Sequence, residues 1–412
     1  MIKKKDFSHE LHEWHECFFL SVFYIRGIRV IRGWSLQVFM KQEILNNIKN
    51  IWGWRTKRKI VVFSVDDYGN VRLAGPEARE NLDRAGVKVL SRFDAFDTLE
   101  TRQDLELLFE TLASVKDANG GHAVFTPFAV PCNIDFERLM DEGYKQYCYE
   151  LLPMTYEKLS ALEPAAYEGT WQLWQEGIAK GLLSPQFHGR EHLNLKVFEE
   201  KLARRDPEVM ACLANRSYTG ISDSGYSTIG YTAAFDFWEF AENERFAEII
   251  RTGLDSFEEV FGARAVHFTP PGGREHQSIH QHLLAAGVRY LDTPLIKQEH
   301  QGKGKHTKSV NWTGRKNRAG MNLVVRNVVF EPTHDRGVDW VGYAMQQVEA
   351  AFRWHRPANI SSHRVNYCGH IDPANRQQGL DALRTLLREI VKKWPDVEFM
   401  GTAEMLGFLG KA

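Results

Sequence analysis

His188 and His192 stand four residues apart at the end of a strand-like run, in Ser184-Pro-Gln-Phe-His188-Gly-Arg-Glu-His192. On a helical turn, positions i and i+4 point the same way, so both imidazoles could reach one cation. Imidazole with carboxylate suits zinc and other borderline divalent metals. In a chain with 16 histidines the spacing alone is weak evidence, and His276 and His280 repeat it. That second pair lies in a glutamine-rich, amphipathic stretch. It reads as a solvated helix face with at least one imidazole exposed. His188 differs because it falls at a strand end, level with Asp67.

Asp66 and Asp67 close the run Lys59-Ile-Val-Val-Phe-Ser-Val65, which is nearly all apolar and rich in β-branched residues. Such a run predicts a strand buried on both faces, as in a parallel sheet. In α/β folds the loops after the strand C-termini build the active site. The carboxylates could equally form an Asx-turn before Gly69-Asn70. Three further strand ends carry polar groups: Val266-His-Phe-Thr-Pro-Pro-Gly-Gly-Arg274, Arg289-Tyr-Leu-Asp292 and Asn359-Ile-Ser-Ser-His363. A lone strand-end His or Asp is usually structural, but five polar strand ends in chain order are harder to dismiss.

The elements that must position these groups alternate along the chain. Strand-like runs occur near 59–65, 122–130, 183–187, 265–271, 288–292, 323–330, 359–362 and 397–400, with helical patterns between them. Phe246, Ile249, Ile250, Leu254, Phe257 and Phe261 recur at helical spacing, as do Leu380, Leu383, Leu386, Leu387, Ile390 and Val391. Such alternation predicts an α/β fold of βα units wrapped into a barrel. The aromatic segment 132–182 interrupts the rhythm and reads as a helical insertion. Residues 297–320 carry seven Lys/Arg against one acid. They read as a mobile basic loop or, more sharply, as a strip for an anionic ligand.

Residues 1–58 hold eleven Lys/Arg against five Asp/Glu. They read as a basic, amphipathic extension, in part disordered, before a domain spanning 59–412. The apolar run Cys17–Ile25 is too short to span a bilayer, which takes about 20 residues, and it fits a secretory signal poorly. Peripheral membrane association through this segment remains open, as does a true start at Met40. Over all 412 residues the formal net charge is −1, so no global field argues for nucleic acid. Five scattered cysteines without a CxxC suggest reduced thiols and a cytoplasmic setting.

In order and strand-end placement these motifs resemble the polysaccharide deacetylases, over roughly residues 59–410. The family's Asp-Asp-Gly strand end is seen as Asp66-Asp67-Tyr-Gly, its His-x-x-x-His pair as His188 and His192, and its Pro-Gly turn as Phe268-Thr-Pro-Pro-Gly-Gly. Its later Asp and its strand-terminal His are seen as Asp292 and His363. The resemblance implies a distorted (β/α)7-type barrel and metal-dependent removal of an N- or O-acetyl group from a carbohydrate or related small molecule. It implies Asp67, His188 and His192 as ligands to a divalent metal, zinc first, and Asp66 as general base. His363 would be the general acid, oriented and charged by Asp292. The arginine that pairs with the base in the family is replaced by Thr269, and Arg274 stands as its substitute. A non-catalytic barrel that binds a glycan or partner is the alternative the missing arginine leaves open. If one ion is shared, its three ligands should converge at about 2.0–2.2 Å from it, and a separation above about 8 Å would exclude that.

Overall fold

The run Lys59–Tyr68 forms β1, and nine of its ten residues are buried. The computed structural model describes residues 42–219, 221 and 223–409. Along it follow β2 (Phe125–Ala129), β3 (Cys132–Ile134), β4 (Tyr149–Leu151), β5 (Gln186–Phe187), β6 (His267–Phe268) and β7 (Tyr290–Asp292). The remaining strands are β8 (Ile296–His300), β9 (His306–Val310), β10 (Asn322–Val324), β11 (Val328–Val329), β12 (Ala358–His363) and β13 (Val397–Phe399).

The main sheet runs β10-β7-β6-β5-β2-β1-β12-β11, with every pair parallel. Its two edge strands belong to one pass of the chain. β10 pairs with β7, β11 pairs with β12, and only Val325, Arg326 and Asn327 separate them. The four Cα–Cα steps from Val324 to Val328 reach at most about 14 Å, so the edges are tied close together and the sheet curls into a barrel of seven passes. All eight strand-like runs of the sequence become strands. The eighth, β13, stays outside the ring and pairs only with Lys59, Ile60 and Val61 of β1.

Helices cover the sheet as the apolar spacing requires. Phe246–Phe261 buries Phe246, Ile249, Ile250, Leu254, Phe257 and Phe261, and Pro373–Lys393 buries Leu380, Leu383, Leu386, Leu387 and Ile390. Segment 132–182 contains the β3–β4 hairpin and four helices. Among the described residues no helix is long and apolar enough to cross a membrane, and the four described cysteines are free and buried.

Two expectations are corrected. Residues 42–58 are not a loose extension: a helix over 42–48 leads into a segment packed on the barrel. Lys49 Nζ donates to Gln347 at 2.7 Å, and the Arg356 guanidinium holds the carbonyls of Asn50 and Ile51 at 2.9 and 2.6 Å. The apolar run Cys17–Ile25 and Met40 lie outside the described residues. Segment 297–320 is not a structureless loop either, because it opens with the β8–β9 hairpin. Lys297 is buried against Glu275 and Glu299, and His300 Nδ1 lies 2.7 Å from Asp236. These ion pairs anchor the first strand of the hairpin.

Candidate metal centre

Successive strand residues normally point to opposite faces, so Asp66 and Asp67 should face apart. A bulge overrides that. Val65 pairs with Pro127 and Tyr68 with Ala129, so β1 carries one residue more than β2 between these points. Asp67 takes φ 75°, a left-handed conformation uncommon outside glycine. Gly69 follows at φ 74°, where an added Cβ would lie 2.7 Å from the Val130 carbonyl oxygen. The bulge lets both carboxylates serve the mouth of the barrel.

Asp67 Oδ1 lies 2.9 Å from His192 Nε2 and 3.6 Å from His188 Nε2. One ligand atom from each residue falls within 4.8 Å of the others, and all three residues are buried. The His188 Nδ1–H donates to the Thr269 carbonyl at 2.8 Å, which leaves Nε2 as the ring nitrogen that faces Asp67. That Nε2, and Nδ1 of His192, are buried without a hydrogen-bond partner. Burial holds His192 below its ordinary pKa against the pull of Asp67, favouring the neutral imidazole that ligates metals. Burial pushes the Asp67 carboxyl up, but His192, His188 and Arg72 outweigh it and keep the group ionised. Two imidazoles and one carboxylate around an unpartnered nitrogen form a donor set that fits a divalent metal ion.

Asp66 is gripped by Arg326, whose Nη1 and Nη2 donate to its two oxygens at 2.7 Å each. Arg326 Nε donates to Asp292 at 2.8 Å, and Nη2 to Thr269 Oγ1 at 2.9 Å. Thr269 Oγ1 donates to Asp292 at 2.6 Å, and His267 Nε2 lies 3.2 Å from its other oxygen. Burial pushes the Asp292 carboxyl up, but Arg326 and His267 hold it well below the usual range. His363 Nε2 stands 4.0 Å from Asp66 Oδ2, while its Nδ1 lies 2.7 Å from Glu331 Oε1. Burial by itself lowers the His363 pKa, but Glu331, with smaller help from Asp67 and Asp66, lifts it to about 9.

The structure therefore brings Asp66, Asp67, His188, His192 and His363 together, and it changes two assignments. Asp292 does not reach His363, because β10 and β11 intervene between β7 and β12. Glu331, two residues beyond β11 and beside β12, occupies that position. Arg274 does not pair with Asp66. It follows two glycines of positive φ and turns to Asp236 at 3.1 Å and the Thr228 carbonyl. The arginine on Asp66 is Arg326, from the break between β10 and β11. Both missed residues carried a signal. Arg326 is a charge inside an apolar strand run, and Glu331 ends that run, where the strand-end rule would have found it. The second histidine pair is corrected too: His276 and His280 are both buried rather than solvent-facing.

No family model and no curated protein matches the sequence. Among solved structures, the chain is similar to a protein described as a polysaccharide deacetylase from Mycobacterium smegmatis. Identity there is 12%, covering 87% of this chain and 93% of that one, with a TM-score of 0.41. A second so described, from Pseudomonas aeruginosa, shares 11% identity over 84% of this chain and 90% of its own, at 0.40. A GH57 branching enzyme from Thermococcus kodakaraensis shares 11% over 85% and 71%, at 0.43. At this level of likeness the chemistry has to be read from the chain's own residues.

Proposed function

We infer that this chain is a metal-dependent hydrolase that removes an acyl group, N- or O-acetyl, from a carbohydrate or a related amide. The reading is carried by one observation: Asp67, His188 and His192 converge around an unpartnered imidazole nitrogen, with Asp66 and His363 beside them. Asp67 Oδ1 and the Nε2 atoms of His188 and His192 would hold the ion. Bound there, a divalent ion would lower the pKa of a water and polarise an acyl carbonyl.

The chain's own residues supply the rest. Asp66 accepts the proton of the attacking water while the Arg326 fork fixes its carboxylate. Asp292 acts through Arg326, holding the guanidinium in the plane that meets Asp66. His363, protonated at neutral pH, gives its proton to the departing amine or alcohol, and Glu331 keeps it charged and oriented. The non-catalytic alternative rested on the arginine missing after Phe268. Arg326 makes the ion pair with Asp66 instead, which favours turnover.

The test is release of acetate from a panel of acetylated sugars and amides by metal-reconstituted protein, with and without a chelator. Chelator-sensitive release is expected. No release from any substrate at full metal occupancy would sink the hydrolase reading.

A further inference from the structure

Arg72 lies five residues beyond Asp67, and its side chain is only 9% exposed. The buried arginines Arg79, Arg190, Arg356, Arg364 and Arg376 all donate hydrogen bonds to carboxylates, hydroxyls or carbonyls. Among the described residues Arg72 is the exception. It stands 3.9 Å from Asp67 Oδ1 and 3.3 Å from Asp97 Oδ2, but neither its Nε nor that oxygen has a hydrogen-bond partner. Asp97 spends its other oxygen on Arg364 at 2.8 Å. The Arg72 guanidinium stacks 4.8 Å from the ring of Phe93, which in turn packs edge-on against His363 at 5.3 Å. Arg72 therefore belongs to the mouth of the site, linked to the metal ligands on one side and to the acid on the other.

A buried donor left without an acceptor costs about 1–3 kcal/mol, more when it is charged. The nearby carboxylates give Arg72 charge balance without hydrogen bonds. A divalent ion on Asp67 would leave Arg72 balanced chiefly by Asp97, which is already shared with Arg364, and so would favour an incoming anion. The guanidinium is a planar fork that matches the two oxygens of a carboxylate. We propose that Arg72 binds a carboxylate of the ligand, its fork donating to both oxygens beside Asp67. The proposal rests on the hydrolase reading, and two sources of the carboxylate share this chemistry. Hydrolysis of an acyl group generates one, and a substrate could carry one of its own.

Acetate binding to metal-loaded, full-length protein tests this directly, by isothermal titration with metal content measured alongside. Arg72→Met should weaken acetate about tenfold to a hundredfold while metal stoichiometry stays unchanged. Arg72→Lys keeps the charge and loses the fork, so it should weaken acetate less but measurably; it also carries the test if Arg72→Met fails to fold. Acetate affinity equal to wild type in Arg72→Lys, or in folded Arg72→Met, overturns the proposal and leaves Arg72 as a counter-charge for Asp67 and Asp97. The source is separated by turnover of a neutral acetylated sugar against an acetylated uronate. A product-derived carboxylate predicts that Arg72→Met slows both alike and relieves acetate inhibition. A substrate-borne one predicts loss on the uronate alone. Arg72-dependent acetate binding without hydrolysis of any substrate would count against the hydrolase reading and leave the anion site standing.

Discussion

The chain contains two histidine pairs at the same spacing, and both are buried. His188 and His192 keep ring nitrogens with nothing to bond. At the second pair no buried ring nitrogen is left without a hydrogen-bond partner. His280 Nε2 lies 2.8 Å from Glu275 and its Nδ1 accepts from Asn317 at 3.0 Å. His276 Nδ1 accepts from the Ser278 backbone N–H at 3.1 Å, and its Nε2 stands 3.6 Å from Glu299. Lys297 completes that cluster between Glu275 and Glu299. Spacing and burial are the same, so neither separates a binding site from a structural lock. What separates them is unused hydrogen-bonding capacity, because a buried polar atom without a partner costs free energy that a ligand or an ordered water can recover.

The largest expected effect breaks the comparison at its stronger side. His192→Ala or Asp67→Asn should drop bound metal from about one per chain to none and abolish acyl hydrolysis, read by metal analysis and acetate release. His276→Ala and His280→Ala should retain the metal. If either of those two loses it, the distinction between the pairs is wrong.

Asp66→Asn sharpens the distinction between holding an ion and using it. Metal content should stay at the wild-type level while kcat falls about 10²–10⁴-fold, the range for general acid–base catalysis. Wild-type turnover would remove Asp66 from the mechanism.

Removing one partner from a buried polar cluster leaves the remaining groups short of a hydrogen bond or a counter-charge. His280→Ala should destabilise the fold by about 1–3 kcal/mol, and Arg326→Met by about 3–5 kcal/mol, since it strands both Asp66 and Asp292. Denaturant unfolding measures both. Equal stability of wild type and Arg326→Met would show that the carboxylates do not need their guanidinium.

The smallest effect is a shift rather than a loss. The acid form of His363 persists at low pH and disappears as pH rises through about 9. Glu331→Gln removes the charge that raises it and leaves burial, which lowers it. The alkaline limb of kcat/KM against pH should move down, toward or below the ordinary histidine value of about 6.5. An unmoved limb would mean that Glu331 does not set the charge of His363.

Much of the barrel was legible in the sequence, because parallel strands buried on both faces are written as continuous apolar runs, and their polar ends stand out against them. Lys59–Val65 reads as a central strand for that reason, and Asp67, His188 and His363 can be found at strand ends by inspection. Which strand end faces which is not written locally. Asp292 comes earlier in the chain than Glu331 and resembles the expected partner of His363, but the ring order sets β11 against β12 and β7 two passes away.

The sequence by itself determined the strands of the main sheet, the helices that cover them and the residue types able to hold an ion, since these follow from side-chain periodicity and chemistry at neighbouring positions. Only the tertiary structure decided the partners. The bulge that turns Asp67 beside Asp66, the broken strand that carries Arg326 to both carboxylates, the burial of His276 and His280, and the unpartnered Nε of Arg72 all depend on groups far apart in the chain. Each is decided by where buried hydrogen bonds can and cannot be made, and that is a property of the assembled barrel.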